Sequence, residues 1–318
     1  MIITVALNPA VDQTVEVDHF APGDTNRVIS IRWDIGGKGI NVARVLKELG
    51  YEALATGFAP GPQGRMIEDQ LADSGIGCDF VYVPGDTRTN ITILERSTHT
   101  HTQLALSGPT LPADAPAQLL DRLKRRVRND TWLALAGSIP PPGDPQVYVD
   151  LIAMAAERGG RTALDADGPV VEAVLHSGVR PTLLKLNRLE ISRLLHREVQ
   201  TAEEVLAGAR AIHARGVPYV VVTMSKEGAI AVTPDAEYRV HVPPVEIVSA
   251  VGAGDAFLSG LLCGLVREGD WTAALALAAA ASTAACLTPG TVLCAGPEVE
   301  RLRPLVAVER IREHSLAR

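Results

Sequence analysis

The sequence predicts an α/β domain on a doubly wound, mainly parallel sheet flanked by helices, with a small β-sheet projecting as a lid. Three observations carry that expectation. Short apolar runs alternate with amphipathic stretches through most of the chain, as strands and helices do in such sheets. Glycine-rich turns stand where two helical patterns begin. Two segments, about residues 12–34 and 79–107, break the rhythm with Val, Thr and Ile alternating with polar residues.

The chain's 318 residues suffice for one large domain with a small accessory piece, so residues 1–318 are read as one unit. Hydrophobic residues make up 47% but aromatics only 4%. A core of Ala, Val, Leu and Ile follows, which suits helices laid closely on a sheet. The net charge of −7 leaves no basic footprint for nucleic acid or an anionic membrane, so an anionic substrate requires local Arg and Lys. Residues 2–7 follow Met1 without a charged flank and read as a first buried strand rather than a signal. The run at 271–287 is short and broken by Thr272, Ser282 and Thr283, so a buried helix is expected, not a membrane span. Cys78, Cys263, Cys286 and Cys294 lack Cys-x-x-Cys spacing and read as reduced thiols of a cytoplasmic protein. The eight histidines show no ligand or triad spacing.

Later strands are expected at 131–136, 161–165, 182–187 and 219–223. Helices are expected at 146–158, after 165, near 190–195 and at 203–215. Ligands of such sheets collect at the carboxyl ends of the strands, so the polar residues just past each apolar run carry the interest. Thr89-Asn90-Ile91-Thr92-Ile93-Leu94 reads as an antiparallel lid strand with one wet face.

Val251-Gly252-Ala253-Gly254-Asp255 opens an apolar helix. Small residues there let backbone N–H groups approach an anion, and Asp255 in the first turn can take a proton from a hydroxyl. An ordinary capped helix with a tight turn fits the same letters. A second glycine turn, Gly36-Gly37-Lys38-Gly39-Ile40-Asn41, also opens a helix and adds a cation and an amide. It has neither Walker nor dinucleotide spacing. Thr87-Arg88-Thr89-Asn90 offers an arginine for a sugar phosphate, with Arg27 on the other lid segment as a second. Asn8 and Asp12 follow the first strand, where Asp12 can accept from sugar hydroxyls. Asn187 and Glu190, three apart, can order Mg²⁺ waters or simply cap a helix. Residues 223–228 read as either an adenosine-side loop or a plain turn.

Taken in order, these motifs resemble the ribokinase-like, PfkB-type carbohydrate kinases. They run from Asn-Pro-Ala-Val-Asp through Gly-Gly-Lys-Gly-Ile-Asn, Thr-Arg-x-Asn, Gly-Ser-Ile-Pro and Asn-x-x-Glu to Gly-Ala-Gly-Asp. The opening and the Thr-Arg-x-Asn motif are similar to the phosphosugar branch, in particular to 1-phosphofructokinases. By that resemblance Asp255 is the catalytic base, with Gly252, Ala253 and Gly254 as its anion hole. Asp12, Gly37, Lys38, Asn41, Arg88, Asn90 and Ser138 hold the phosphosugar. Lys185, Asn187, Thr223, Ser225, Gly228 and Gly254 serve ATP, and Asn187 with Glu190 serves Mg²⁺ through water. A monovalent cation and a homodimer through the lid strands are further implications.

The chain departs from the pattern at Lys185-Leu186-Asn187, where Lys-Pro-Asn is common, and at Thr223-Met224-Ser225, where Ser-Leu-Gly is usual. Asp34 stands just before the glycines, able to repel a second phosphate or to bind a hydroxyl. The expected reaction is ATP-dependent conversion of fructose 1-phosphate to fructose 1,6-bisphosphate. Tagatose 6-phosphate, fructose 6-phosphate, a nucleoside or another sugar are the alternative acceptors, and a sugar-phosphate sensor is the non-enzymatic alternative.

Overall fold

The computed structural model describes residues 1–313 apart from positions 99, 167 and 291. The strands are β1 (Ile2–Ala6), β2 (Ala10–Val17), β3 (Val28–Gly36), β4 (Ala53–Pro60), β5 (Gly77–Val83), β6 (Arg88–Glu95) and β7 (Thr100–Leu104). They continue with β8 (Trp132–Ala136), β9 (Arg161–Asp165), β10 (Leu183–Asn187), β11 (Tyr219–Thr223), β12 (Ala229–Val232), β13 (Ala236–His241) and β14 (Ala307–Glu313). The helices are α1 (Lys38–Glu48), α2 (Gly61–Asp73), α3 (Ala115–Arg126), α4 (Gln146–Glu157) and α5 (Gly168–His176). After them come α6 (Arg188–Leu194), α7 (Ala202–Ala214), α8 (Ala253–Arg267), α9 (Trp271–Cys286) and α10 (Gly296–Leu302).

The main sheet runs in the order β14-β13-β12-β11-β10-β9-β8-β1-β4-β5. Pairing is parallel from β5 to β11 and antiparallel from β11 to β14. Strands β1 and β8 are buried along their whole length, which requires helices on both faces. One apolar cluster packs β8–β11 against α3–α7. A second packs the opposite face against α1, α8 and α9.

Helices α8 and α9 approach closely. A methyl at Gly264 would lie 2.5 Å from the Ala274 Cα, and one at Gly260 2.7 Å from the Ala278 Cα. The low aromatic content fits this packing, because alanines and glycines let the two backbones meet. Helix α9 is 16 residues long, and among the described residues no helix is long and apolar enough to cross a membrane.

The second sheet, β3-β2-β6-β7, is the expected lid with two corrections. Residues 79–83, expected in the lid, belong to β5 and pair with β4 in the main sheet. Their Phe80, Val81 and Val83 are buried, so the apolar content there serves the core. The lid is also not wholly antiparallel, because its central pair β2–β6 is parallel. The hairpin β12–β13 and the edge strand β14 had no counterpart in the sequence reading. Glu237, buried on β13, explains part of that: Arg210 of α7 satisfies it with two hydrogen bonds of 2.7 and 2.6 Å.

Candidate active site

The carboxyl ends of the parallel strands bring the chemistry together. Asn8 follows β1, Ser138 follows β8, Asp165 ends β9, Asn187 ends β10 and Thr223 ends β11. Asn8 Nδ2 donates to Ser138 Oγ at 3.1 Å, and Asn187 and Thr223 are in register. The first turns of α1 and α8 meet through a hydrogen bond between Asn41 and Asp255.

Gly252 precedes α8 in the left-handed region at φ 77°, where a side chain would be strained. No side chain caps this helix, and its positive dipole end lies beside Gly252, Ala253 and Gly254, with the Ala253 N–H donating to the Ala250 carbonyl at 3.4 Å. Asp255 lies in that turn, buried, and accepts a hydrogen bond from Asn41 Nδ2 of α1 at 2.8 Å. Burial, then the charge of Asp165, pushes the Asp255 carboxyl up to about 6 against the pull of Lys38, Asn41 and Lys185.

Asp165 is the hub that the sequence reading passed over. Lys38 Nζ donates to its Oδ1 at 2.7 Å, and Lys185 Nζ to its Oδ2. Burial alone would raise this carboxyl, but the ammonium groups of Lys185 and Lys38 outweigh burial and hold it at about 2. Lys38, although desolvated, is raised by Asp165, Asp255 and Glu190 and stays cationic. The usable signal was position: a carboxylate ending a buried strand at the ligand edge of the sheet. A methyl at Gly254 would come 3.0 Å from Lys185 Nζ, so the glycine lets the α8 turn sit on that lysine.

On the lid, Asp34 of β3, Asp12 of β2 and Asn90 of β6 form one row across three strands. Asn90 Nδ2 donates to Asp12 Oδ1 at 2.8 Å. Burial raises the Asp12 carboxyl, partly offset by Asn90 and the nearby Arg88. Gly36 has no room for a side chain, since a Cβ would fall on the Asp12 carboxylate, and Gly37 leads directly into α1. Arg88 begins β6, and its Nη1 donates to the Leu106 carbonyl at 3.3 Å. Arg27 is exposed on the loop before β3. A cavity of about 340 Å³ runs between Asp12, Thr14 and Thr92 of the lid and Ser249, Val251 and Pro289 of the body.

Asn187 and Glu190 make a reciprocal helix cap: Asn187 Oδ1 accepts from the Glu190 N–H at 2.9 Å, and Glu190 Oε2 from the Asn187 N–H at 2.7 Å. Glu190 is half-buried, and its charge helps to keep Lys38 cationic while its side chain caps α6. Ser225 and Gly228 close a tight turn between β11 and β12, Ser225 at φ 56° and Gly228 at φ 85°. Among the described residues no group of three or more His, Cys, Asp or Glu could hold a metal ion.

The family model described as "pfkB family carbohydrate kinase" matches residues 5–297. Tagatose-6-phosphate kinase of Staphylococcus epidermidis is 33% identical over 269 residues, covering 84% of this chain and 86% of that protein. The crystal structure of phosphofructokinase-2 from Escherichia coli with substrates and products superposes with a TM-score of 0.90 at 28% identity, over 96% of this chain and 98% of that one. A Thermotoga maritima protein described as a possible 1-phosphofructokinase gives a TM-score of 0.85 at 25% identity, over 98% of this chain and 100% of that one. A family match across nearly the whole length, on a ribokinase-like sheet with its separate lid, makes the chain a phosphotransferase: it belongs to the pfkB family of carbohydrate kinases.

Proposed function

We propose that the chain transfers the γ-phosphoryl group of MgATP to the free primary hydroxyl of a ketohexose monophosphate, with fructose 1-phosphate as first acceptor. The observation that carries this reading is Asp255, buried in the uncapped first turn of α8 with its proton affinity tuned to about 6. Ionised at neutral pH, it accepts the hydroxyl proton as the oxygen attacks in line. Gly252, Ala253 and Gly254 form the anion hole, where the positive end of α8 stabilises the charge on the transferring group. Lys38 stays cationic and adds to that stabilisation, while Asp165 fixes where its ammonium stands. Asp12, Asn41, Asn90 and Ser138 orient sugar hydroxyls, and Arg88 takes the resident phosphate. The lid excludes water, which protects ATP from hydrolysis.

On the donor side Lys185, Asn187, Thr223, Ser225 and Gly228 form the nucleotide wall at the ends of β10 and β11. MgATP, when bound, supplies the transferable phosphoryl group. With no carboxylate cluster among the described residues, Mg²⁺ would be held mainly by the nucleotide phosphates, with Glu190 and Asn187 ordering its waters. A related E. coli phosphofructokinase-2 structure is described as a complex with potassium, which supports a monovalent cation as a further cofactor here. The lid's outer face exposes Ile29, Ile31 and Trp33 of β3 and Leu104 of β7, apolar area that a second copy would cover. That supports a homodimer through the lids.

A second acceptor, tagatose 6-phosphate, is favoured by the 33% identical Staphylococcus relative. The test is ADP release across a panel of sugars and sugar monophosphates, with Asp255→Asn as control. Turnover on ketohexose monophosphates alone supports the reading. No turnover on any sugar sinks it, and preference for ribose or nucleosides removes the role of Arg88.

A further inference from the structure

Arg32 sits on the body-facing side of β3, in register with Thr14 of β2 and, through it, with Thr92 of β6. Its guanidinium reaches two ways. Nε donates to Asp34 Oδ2 within the lid at 2.8 Å, and Nη2 donates to the Pro289 carbonyl on the body at 3.1 Å. Residue 290 is a glycine at φ 58°, and a Cβ there would lie 2.2 Å from Arg32 Nη2, so a larger residue would displace the guanidinium tip. Asp12 and Thr14 line one wall of the cavity under the lid, and Pro289 and Gly290 line the other, so Arg32 spans the two walls.

The loop it grips is mechanically tied to the phosphoryl-transfer turn. Leu293 packs so closely on Gly252 that a Cβ at Gly252 would lie 2.4 Å from its Cδ2. The end of α9 anchors both sides: the Val248 N–H donates to the Cys286 carbonyl at 2.8 Å, and Thr288 Oγ1 to the Ala285 carbonyl at 3.0 Å. Thr288 Oγ1 also donates to the Leu293 carbonyl, so a path of contacts runs from Asp34 through Arg32, Pro289 and Thr288 to Leu293 and the Gly252 turn.

We infer that Arg32 is a positioning residue, a latch joining the lid strand beside the sugar site to the loop that buttresses the anion-binding turn. Its kinetic consequence rests on the phosphosugar-kinase reading above; the latch itself rests on the geometry. Arginine suits the task because its planar fork serves a carboxylate and a carbonyl at once. The side chain is about one-third exposed, at 38%, so the pair is weak enough to open for substrate entry and product release.

Three variants test it: Arg32→Ala, Arg32→Lys and Gly290→Ala. In hydrogen–deuterium exchange without ligand, Arg32→Ala is expected to speed exchange in β3 and in residues 286–293 together, leaving β8–β11 unchanged. In kinetics it is expected to raise KM for the phosphosugar about tenfold and to increase ATP hydrolysed per sugar phosphorylated. Arg32→Lys should recover part of both. Gly290→Ala should reproduce the loss, and the double variant with Arg32→Ala should be no worse than either single one. Exchange altered in β3 alone, full additivity, or wild-type KM and coupling in Arg32→Ala would overturn the latch. If the wild-type protein phosphorylates no sugar, the kinase reading falls while the exchange result still decides the latch.

Discussion

Asn41 donates its side-chain N–H to Asp255 at 2.8 Å, tying the first turn of α1 to the first turn of α8. The two glycine turns of the sequence are thereby joined by one hydrogen bond to a carboxylate. The bond favours the ionised form, while burial and Asp165 favour the protonated one.

Activity should therefore show an acid limb near pH 6, the value to which Asp255 is pushed up. Asn41→Ala removes a stabiliser of the carboxylate and should move that limb to higher pH in a kcat/KM profile. Asp255→Asn should cut kcat by roughly 10²–10⁴-fold, the usual contribution of a general base.

The same carboxylate costs stability. Its folded pKa of about 6 exceeds the ordinary 3.8, so ionisation opposes folding progressively as pH rises between those values. Asp255→Asn should accordingly stabilise the fold at pH 8 by on the order of 2–3 kcal/mol, seen as a higher Tm. The gain should vanish below pH 4, measured by calorimetry across that range.

Asp165 behaves in the opposite sense. Held at about 2 against 3.8, it stabilises the fold above pH 4, and that contribution is lost as pH falls towards 2. Asp165→Asn leaves Lys38 and buried Lys185 without their shared anion. A loss of roughly 3–5 kcal/mol is expected in urea unfolding at pH 7, the range for stranding a buried charge.

Ser225 stands in the left-handed region at φ 56°, where a non-glycine residue is strained. The usual glycine of the resembling family fits that backbone without strain. Ser225→Gly should raise stability by about 0.5–1 kcal/mol after the entropy cost of glycine, read from the urea midpoint. The KM for ATP should change less than about twofold, since the turn keeps its path.

Trp33 is 57% exposed on the lid's outer face. Trp33→Glu should convert a dimer to a monomer in light scattering without lowering Tm by more than a few degrees, because the residue touches no core cluster. A wild-type monomer would remove the lid-to-lid dimer.

Much of this architecture was legible from local pattern. The strand–helix rhythm announced the parallel sheet, and both glycine turns open helices as expected. Where the reading failed, the cause was non-local. Residues 79–83 alternate like a lid strand, yet pairing with β4 buries them. Strand β14 carries Glu309, Arg310 and Arg312 because it is an edge strand, and so showed no apolar run. Asp165 gained importance only when Lys38 and Lys185 converged on it from 127 and 20 residues away. Asn187 and Glu190 were the opposite case: the capping alternative is the geometry found, with the Glu190 charge still bearing on Lys38.

The parallel pairing of β2 with β6 has a consequence for how the molecule is assembled. Asp12 meets Asn90 across 78 residues of chain, and that interval contains β3, α1, β4, α2 and β5. A hairpin can zip up from its own turn, but this pair must wait until the intervening βαβ units have docked and brought its ends together. In refolding, protection of the amides that bridge β2 and β6 should thus appear after that of β1, β4 and β5. An excised lid would keep the local pairs β2–β3 and β6–β7 but lose the chain that brings β2 against β6, so the row from Asp34 to Asn90 is completed only by the whole domain.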